Sequence, residues 1–527
     1  MITGFMGTGK TTVGRIVAAR LNRPFVDMDE RIESRTGRTV HQIFEEQGEA
    51  EFRRLESELC SKLAASQGHV IATGGGTLLC TENRERLLGA AVGICLRADH
   101  KEILRRLHRS TDRPLLETPD REHQIVWLLA EREQAYGEVP WHVDTTRRSP
   151  EEIAEEIIHL IGTRTRRVGS GATSYKVYDG IGLRHRIGDL LRSATGASSV
   201  PVGVVTNPTV GDLYADDVLE SLSDAGFRPH ACMIPNGETA KTLATVRDLY
   251  MQFVSAGLDR SSAVIALGGG VTGDLTGFAA ATFNRGVRWF VQMPTTLIAM
   301  IDASLGGKTG VDLPQGKNLV GAFFDPSMVI ADVETLGTLA EAELRSGIAE
   351  ALKHGIVSAP DLFDALASET LTRSDWTGDV GVEMIAQAQS VKIQLVEEDP
   401  RERGRRIFLN LGHTVGHAIE AVSSYRIRHG EAVAIGLVAA THIAVSQGMA
   451  SKSVVECVTA ALDQLQLPIR CPPYSVDALL EAMNTDKKRE HGRLQWVLPR
   501  SIGTVDTAEV PLCTVRETLL TLGAKED

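Results

Sequence analysis

Residues 4–11, GFMGTGKT, match the pattern G-x-x-x-x-G-K-[ST], and this motif constrains the fold more than any other feature of the chain. Glycines at these spacings let backbone N–H groups turn inward around phosphate oxygens at a helix N-terminus. Lys10 can then reach the β- and γ-phosphates, and the Thr11 hydroxyl can ligate Mg²⁺. The motif predicts a nucleotide-binding α/β domain, with loop contacts from Gly7, Gly9, Lys10, Thr11 and Thr12.

Four downstream segments narrow the class of nucleotide-binding protein. FVDMD at 25–29 ends an apolar run with two acids, Asp27 and Asp29. If both lie at the end of a strand, their side chains point the same way, towards a metal or a polyol. The alternative is that both acids lie in a solvated helix cap. EFRRLE at 51–56 places arginines on a helix, where a salt-bridged, solvated face is the alternative. VIATGGG at 70–76 predicts a buried strand and a backbone loop close to ligand, and RSTDRPLL at 109–116 suits a lid over the nucleotide.

Composition excludes several classes of protein. The chain has 527 residues, enough for three or four domains, or for two if one is large. Its net charge of −12 argues against general nucleic-acid binding and against an anionic membrane surface. The seven cysteines include no pair at zinc or redox spacing, so we expect free thiols in a reducing cytoplasm. We expect no signal peptide and no transmembrane helix.

A domain boundary is predicted near residue 168. PEEIAEEIIHL at 150–160 has the apolar spacing of an amphipathic helix. TRTRRVGSGATS at 163–174 is polar, basic and rich in small residues, which is typical of a flexible linker. A new series of alternating strands and helices follows from residue 175.

In the second half, AVIAL at 263–267 predicts a buried parallel strand that ends in GGGVTGD at 268–274 and opens a helix. Glycines here let the pyrophosphate of a dinucleotide approach the backbone, although the pattern is weaker than G-x-G-x-x-G.

Three histidines and a glutamate suggest a metal site. His413 and His417 are four residues apart and share one helical face, so spacing alone suggests them as a chelating pair; a structurally satisfied pair is the alternative. His429 and Glu350 add further ligand types. Such a set suits a divalent transition metal, most often zinc with an open position.

The first half resembles the shikimate kinase family, through GFMGTGKTT, FVDMD, EFRRLE, TGGGT, RPLL and ERxxxY in this order over residues 1–160. The resemblance implies that Lys10 and Thr11 serve ATP and Mg²⁺ and that Asp27 lies near the metal. It also implies that Arg113, in the lid, meets the transferring phosphates. The implied shikimate site has Asp29 at the hydroxyls and the arginines at the carboxylate, and consists of Asp29, Arg53, Gly75, Gly76 and Arg132.

The second half resembles the 3-dehydroquinate synthase family over about residues 175–515. The resemblance rests on PNGETAK, GGGVTGDLTGFAAA, RGVR, PTTL, DASLGGKTGVD, GKNLVGAF, SGIAEALKHG, LNLGHTVGHAIE, HGEAVAIG and TDKK. It implies Glu350, His413 and His429 as ligands of zinc or cobalt, and it makes His417 a proton-transfer group instead.

The same resemblance implies NAD and a phosphorylated seven-carbon sugar acid. The implied NAD contacts are Asn236, Gly237, Glu238, Lys241, Gly270, Val271, Gly273, Asp274, Thr295, Thr296, Lys308, Lys317, Thr335 and Thr338. The implied substrate-binding or catalytic residues are Arg285, Asp302, Lys308, Lys317, Asn318, Lys353, Lys392, Arg406, Asn410, His417 and Lys488. For any one of these basic residues alone, a solvated surface charge is the alternative.

Together the two resemblances predict a bifunctional enzyme of the shikimate pathway. It would phosphorylate shikimate with ATP, and convert 3-deoxy-D-arabino-heptulosonate 7-phosphate to 3-dehydroquinate and phosphate. The predicted domains are a P-loop kinase with a parallel sheet (1–165), a linker (166–174), an α/β NAD-binding lobe (175–330) and a mostly α-helical metal-binding lobe (331–527). We expect small-molecule substrates and a homodimer formed through the synthase half.

Two alternatives remain open. The second half could be a related sugar-phosphate cyclase whose substrate lacks the carboxylate, against which Lys392 and Arg406 argue. One half could also be catalytically inactive. Only Met1–Thr3 precede the phosphate-binding loop, where a first strand of about five residues is usual. We therefore expect either a short strand or a late start, and a weakened kinase half.

Overall fold

A computed structural model describes residues 1–66, 68–107, 120–169, 174–196, 199–368, 371–402, 404–485, 489–490 and 493–526. The chain divides into two compact units, which are considered separately. Unit 1 consists of Met1–Thr163, His185–Ser199 and Glu220–Phe227. Unit 2 consists of Arg164–Arg184, Val200–Leu219 and Arg228–Asp527.

Unit 1 is built on a five-stranded parallel sheet of order β2-β3-β1-β4-β5. The short first strand is fully buried at the centre of this sheet, with Ile2 opposite both Ala72 and Ile94. The short first strand expected from the sequence is therefore found, and it occupies the central position. The strands are β1 (Ile2–Gly4), β2 (Phe25–Asp27), β3 (Val70–Ala72), β4 (Ile94–Arg97) and β5 (Trp141–Asp144).

Among the described residues of unit 1, eight α-helices lie entirely within the unit. The helix predicted over 150–160 is confirmed as α7, which begins in a capping box between Ser149 and Glu152 and buries Ile153, Ile157 and Leu160. The helices are α1 (Lys10–Arg20), α2 (Met28–Thr36), α3 (Val40–Ala64), α4 (Thr81–Ala90), α5 (His100–Leu107), α6 (Arg121–Gly137), α7 (Pro150–Gly162) and α8 (Ile187–Thr195).

Unit 2 contains a seven-stranded sheet of order β6-β7-β14-β11-β10-β8-β9. All pairs are parallel except β6 with β7. A separate antiparallel hairpin joins β12 to β13. The strands are β6 (Arg164–Val168), β7 (Tyr175–Gly180), β8 (Pro201–Thr206), β9 (Arg228–Met233), β10 (Ala263–Gly268), β11 (Trp289–Pro294), β12 (Lys308–Leu313), β13 (Gly316–Phe323) and β14 (Met328–Asp332).

The prediction of a linker from residue 166 is wrong for its first residues. Arg166 to Val168 belong to β6, an edge strand of sequence RTRRV in which only Val168 is apolar, so the strand lacks the apolar alternation that marks a half-buried strand. Arg166 nevertheless donates to Asp179 of β7 at 2.8 Å. Residues 170–173, the remaining core of the predicted linker, lie outside the described residues.

The C-terminal part of unit 2 is mainly helical, as predicted, and also carries a small antiparallel sheet of β15 (Arg489–Glu490), β16 (Arg493–Ser501) and β17 (Thr504–Glu509). The remaining helices are α9 (Pro208–Asp224), which ends in unit 1, α10 (Leu243–Ser255), α11 (Gly270–Thr282), α12 (Glu341–Ser358), α13 (Pro360–Ser368), α14 (Arg373–Trp376), α15 (Asp379–Glu398), α16 (His413–Val422), α17 (His429–Ser446), α18 (Lys452–Gln464), α19 (Val476–Thr485) and α20 (Leu512–Leu522).

Within the described part of the chain, α17 alone has the length and apolar composition of a membrane-crossing helix. However, 72% of that segment is buried inside the protein. Its neighbours include α12, α16 and α18. It is therefore the core helix of the helical lobe.

Candidate active sites

The glycine-rich loop of unit 1 connects β1 to α1. Gly9 caps the helix with a φ of 95°, a left-handed conformation that favours glycine. Lys10 Nζ donates to the carbonyl oxygens of Gly4 and Phe5 at 2.9 and 3.0 Å. Thr11 Oγ1 donates to Asp27 Oδ2 at 2.6 Å, so the hydroxyl and the carboxylate predicted near Mg²⁺ lie together.

The prediction that both acids of FVDMD lie on a strand end is wrong for Asp29. Strand β2 ends at Asp27, which caps α2 by accepting from the backbone N–H of Asp29 at 3.0 Å. Asp27 therefore caps a helix, as in the alternative, since Asp is a favoured N-cap residue. It is not merely solvated, because it also accepts from Thr11. Asp29 still faces the triple-glycine loop of residues 74–76, because a Cβ on Gly74 would lie 3.0 Å from Asp29 Oδ1.

The two predicted arginines converge on the triple-glycine loop that follows β3. Arg132 Nη1 donates to the carbonyl oxygen of Gly75 at 2.9 Å. A Cβ on Gly76 would lie 2.7 Å from Arg53 Nη2, so a larger residue there would collide with the guanidinium. Asp29, Arg53 and Arg132 therefore surround one loop, and together they can bind a ligand that carries hydroxyls and a carboxylate.

Sequence reasoning missed two residues, one that holds Arg53 and one that holds the glycine loop beside Arg132. Glu56 is 1% exposed and accepts from Arg53 Nη1 at 2.9 Å and from Thr77 Oγ1 at 2.5 Å. The Tyr136 hydroxyl donates to the Gly75 carbonyl at 2.7 Å, beside Arg132. Glu56 is the last residue of EFRRLE and Tyr136 the last residue of ERxxxY. The motifs therefore contained both residues, but they did not show what these residues contact. Arg113 lies outside the described residues, and Thr12 is exposed.

In unit 2, the predicted NAD contacts gather at one edge of the seven-stranded sheet. Strands β14, β11 and β10 are parallel neighbours, so their carboxyl ends share that edge. The segments that follow these strands carry Thr335 and Thr338, Thr295 and Thr296, and Gly270 to Asp274, respectively.

The glycine turn before α11 is tightly packed. A Cβ on Gly273 would lie 2.7 Å from Gln292 Oε1. Lys241 Nζ lies 2.6 Å from Asp274 Oδ2 and donates to Asn318 Oδ1 at 2.5 Å, which ties the loop of Asn236, Gly237 and Glu238 to the turn. Burial raises the pKa of Asp274 to about 6, against the opposing charge of Lys241.

One further residue at this edge was missed. The Tyr214 hydroxyl donates to the Thr335 carbonyl at 3.1 Å and bonds to the Thr338 hydroxyl. It therefore fixes the turn that follows β14.

The histidine cluster lies where α12, α16 and α17 meet. Glu350 Oε1 lies 3.1 Å from His429 Nε2 and 3.4 Å from His413 Nε2, and Glu350 is fully buried. Ligand atoms of these three residues all lie within 4.8 Å of one another. His417 is close to both histidines, with ring centroids 5.2 Å from His413 and 6.0 Å from His429.

The electrostatics of the cluster suit a cation. Burial lowers the pKa of His429, but hydrogen bonds to Glu350 and to Glu420, which sequence reasoning missed, outweigh burial and raise it to about 10. A carboxylate and two imidazoles that converge in this way form a donor set for zinc or cobalt. A pKa this high means that His429 carries a proton on both ring nitrogens near neutral pH. A divalent cation bound at Nε2 would take the place of one of these protons.

Basic residues line the other side of Glu350. Lys353 is fully buried, and its Nζ lies 2.5 Å from Glu350 Oε2. Lys392 Nζ bonds to Asp302 Oδ1. Burial alone would raise the pKa of Asp302, but Lys392 and Lys353 hold it well below its ordinary value. Arg406 is 1% exposed and donates to the Pro400 carbonyl at 3.0 Å.

The remaining predicted residues are more exposed or lie elsewhere. Lys308 of β12 bonds to Glu402, and Lys317 of β13 lies 3.2 Å from Glu238 and 4.4 Å from the Tyr425 ring centroid. Asn410 ends the helical turn Arg405–Asn410 just before His413. Arg285 is exposed beyond the C-terminal end of α11, at the far end of that helix from Gly270. Lys488 lies outside the described residues.

Comparison with known proteins assigns both parts of the chain. Residues 6–162 match the family model of shikimate kinase. Residues 231–346 and 347–489 match the N-terminal and C-terminal models of 3-dehydroquinate synthase. A 3-dehydroquinate synthase from Geobacter metallireducens is 44% identical over 337 residues, which are 64% of this chain and 93% of that protein. The chain belongs to the 3-dehydroquinate synthase family. It carries a shikimate kinase domain in front.

The fusion is thus a bifunctional enzyme of the shikimate pathway, with a kinase domain and a synthase. A second synthase relative, from Thermosynechococcus vestitus, is 41% identical over 362 residues, 67% of this chain and 98% of that protein.

Solved structures share the fold of the synthase. A 2-epi-5-epi-valiolone synthase from Streptomyces hygroscopicus, with NAD⁺ and Zn²⁺ bound, is 28% identical with a TM-score of 0.62, covering 68% of this chain and 99% of that one. A 2-deoxy-scyllo-inosose synthase with carbaglucose-6-phosphate, NAD⁺ and Co²⁺ is 24% identical with a TM-score of 0.60, again over 68% and 99%.

Proposed function

We propose that the kinase domain binds Mg²⁺–ATP at its glycine-rich loop and shikimate at the loop of Gly75 and Gly76. The observation that carries this is the placement of Asp29, Arg53 and Arg132 around that second loop. Thr11 and Asp27 hold Mg²⁺, since their oxygens already lie 2.6 Å apart.

The kinase side chains act by positioning and charge neutralisation. Lys10 exchanges its two backbone carbonyl partners for phosphate oxygens when the nucleotide binds. The guanidinium groups of Arg53 and Arg132 hold the carboxylate of shikimate. Asp29 accepts a hydrogen bond from the hydroxyl that is phosphorylated, and Arg113 is proposed to neutralise the transferring phosphates.

In the synthase, we propose that 3-deoxy-D-arabino-heptulosonate 7-phosphate binds beside Glu350, with NAD⁺ at the sheet edge that carries Gly270 and Thr295. The observation that carries this is the triad Glu350–His413–His429, in which Glu350 and His413 are buried, flanked by the buried lysines Lys353 and Lys392. The triad would hold zinc or cobalt. When bound, NAD⁺ supplies reversible hydride transfer, and the metal ion supplies polarisation of a substrate hydroxyl.

The chain's own residues bind and orient the substrate. Lys392 and Arg406 hold its carboxylate, because both are buried cations and a guanidinium binds a carboxylate through two hydrogen bonds. His417 lies beside the triad and moves a proton at the substrate oxygens. Lys308, Lys317, Asn318 and the predicted Lys488 close the phosphate end. Arg285 is not assigned to this site, because it is exposed at the far end of α11 from Gly270.

The test compares two seven-carbon sugar phosphates, one with the carboxylate and one without, using the full chain, NAD⁺ and Zn²⁺. We expect phosphate release from the carboxylate-bearing substrate alone, and a sharply raised KM in Lys392→Met. Release from the substrate without carboxylate at a similar rate would assign the synthase half to a related cyclase. ATP binding without shikimate 3-phosphate formation would make the kinase half inactive.

We also propose that the enzyme is a cytoplasmic homodimer that associates through the synthase. All seven cysteines are free, which suits a reducing compartment. Leu243, Met251 and Val254 share one face of α10 and are 48%, 63% and 62% exposed, which is typical of a surface that another chain covers. Sedimentation of the full chain and of Met251→Glu tests the dimer, which should dissociate in the variant; a wild-type monomer would contradict it.

A further inference from the structure

His429 has a carboxylate at each ring nitrogen. Its Nε2 lies 3.1 Å from Glu350 Oε1, inside the proposed metal triad. Its Nδ1 lies 3.2 Å from Oε2 of Glu420, outside that triad. Glu420 is 7% exposed, and it lies on α16 one helical turn beyond His417 and two beyond His413. These three residues therefore share one face of the helix.

The backbone around Glu420 is also fixed. Its carbonyl oxygen accepts from Ser423 Oγ and from the Tyr425 N–H, both at 2.8 Å. These bonds anchor the turn that leads from α16 to His429 at the start of α17. The carboxylate is thus held at a set position relative to the ring it faces.

The second histidine of the triad is held in the same way. His413 Nδ1 lies 3.0 Å from the Leu411 carbonyl oxygen, which can only accept a hydrogen bond. Nδ1 of His413 therefore carries the proton, and its Nε2 presents a lone pair towards Glu350. A neutral imidazole has one N–H, so the acceptor at one nitrogen decides which lone pair is free for a metal.

We propose that Glu420 is a positioning residue that fixes His429 for metal binding: it accepts the Nδ1–H and thereby commits Nε2 to the ion shared with Glu350 and His413. Glu420 does for His429 what the Leu411 carbonyl does for His413. Acceptors at this position raise the basicity of a ligating histidine and typically change metal affinity about 10- to 100-fold. The inference rests on the proposed metal role of the triad.

A competing assignment makes Glu420 itself a ligand. Ligand atoms of His417, Glu420 and His429 also lie within 4.8 Å of one another. However, the first triad contains the fully buried Glu350, and both of its histidines have their far nitrogen occupied by an acceptor. The geometry therefore favours one ion at Glu350, His413 and His429.

The experiment measures Zn²⁺ affinity and stoichiometry of the full chain by chelator competition, in wild type, Glu420→Gln, Glu350→Gln and Glu431→Gln. Glu431 is the matched control, because it lies on α17 two residues from His429 and pairs with Arg428 instead of the triad. Gln at this position can also keep the capping box. We expect one Zn²⁺ per chain, a 10- to 100-fold weaker affinity in Glu420→Gln, and little change in Glu431→Gln.

A spectroscopic readout separates positioning from a general structural role. In the Co²⁺-loaded enzyme, proton NMR in water should show two exchangeable, strongly shifted resonances, from Nδ1–H of His413 and of His429. In Glu420→Gln the His429 resonance should shift or exchange away, while the His413 resonance stays. Glu420→Asp, which keeps the charge but shortens the side chain, should show the same loss if Glu420→Gln does not fold.

The outcomes distinguish the inference from the function beneath it. Wild-type affinity in Glu350→Gln would overturn the proposed metal site. A second outcome would overturn the role of Glu420 alone. In it, Glu350→Gln binds Zn²⁺ weakly, whereas Glu420→Gln keeps the wild-type Zn²⁺ affinity and both shifted resonances. Two Zn²⁺ per wild-type chain, with one lost in Glu420→Gln, would make Glu420 a ligand and overturn the positioning role.

Discussion

Lys10 of the kinase domain is held by two backbone carbonyls, whereas the buried lysines Lys353 and Lys392 of the synthase are held by the carboxylates of Glu350 and Asp302. The kinase site is partly exposed, so water can take over the hydrogen bonds of a charged group that is removed. In the synthase, a lost carboxylate leaves a buried lysine without its partner, which is far more costly. We therefore expect kinase substitutions to change turnover, and synthase substitutions to change turnover and stability together.

The largest effect should come from Glu350→Gln. This change removes a proposed metal ligand and leaves the fully buried Lys353 without its partner at 2.5 Å. We expect the synthase rate to fall about a hundredfold or more and the synthase to lose about 3–5 kcal/mol of stability. Phosphate release and urea unfolding measure the two effects.

The control for that prediction is Glu341→Gln, at the exposed start of the same helix. It should leave both quantities near wild type. If Glu350→Gln unfolds at the same urea concentration as the wild type, then the pair of Glu350 and Lys353 does not stabilise the synthase. The proposed difference in stability effects between the kinase site and the synthase site would then be wrong.

The next effect is kinetic and confined to the kinase. Lys10→Ala removes a cation that meets the transferring phosphates, so shikimate phosphorylation should fall about 10²- to 10³-fold. The free energy of unfolding should change little, because water can satisfy the carbonyls of Gly4 and Phe5. Initial rates with saturating ATP, and a thermal melt, check this; Arg15→Ala on the same helix is the exposed control.

A pH-dependent effect should follow from Asp179 of β7. Burial raises the pKa of this acid from 3.8 to about 6, although Arg166 and Gln389 oppose the shift. The folded protein then binds the proton more tightly than the unfolded chain, so stability falls as pH rises between these values. Relative to Asp179→Asn, the wild type should lose about 1.3 kcal/mol between pH 5 and pH 7. Parallel pH profiles of the two proteins in urea unfolding would refute this.

The smallest effect should come from Tyr136→Phe in the kinase. It removes one hydrogen bond of 2.7 Å to the Gly75 carbonyl, which Arg132 also contacts. A bond of this kind contributes about 1 kcal/mol, so KM for shikimate should rise about fivefold with an unchanged KM for ATP. Steady-state kinetics with each substrate varied in turn test this, and an equal rise in both would indicate a general loss of structure.

The sequence predicted both fold types and most residues that gather at the two sites, because the motifs are contiguous and each follows a buried strand or opens a helix. It failed at β6, where arginines on an exposed edge strand hide the apolar alternation. It also misplaced Asp29, since a helix begins directly after β2. Glu56, Tyr214 and Glu420 were missed because each acts through a contact to another element, namely Thr77, the turn after β14 and His429, that no motif spacing predicts. The spacing of His413 and His417 could not show that His429 also faces Glu350.

The central claim is that one chain carries two sites that work independently. The most direct test is a phosphorus NMR time course on the full chain with both substrates, NAD⁺, Zn²⁺, ATP and Mg²⁺, repeated with Lys10→Ala and with Glu350→Gln. We predict that free phosphate and shikimate 3-phosphate both accumulate in wild type, and that each variant loses only its own product. Loss of both products in either variant, or the absence of one product in wild type, would contradict the account.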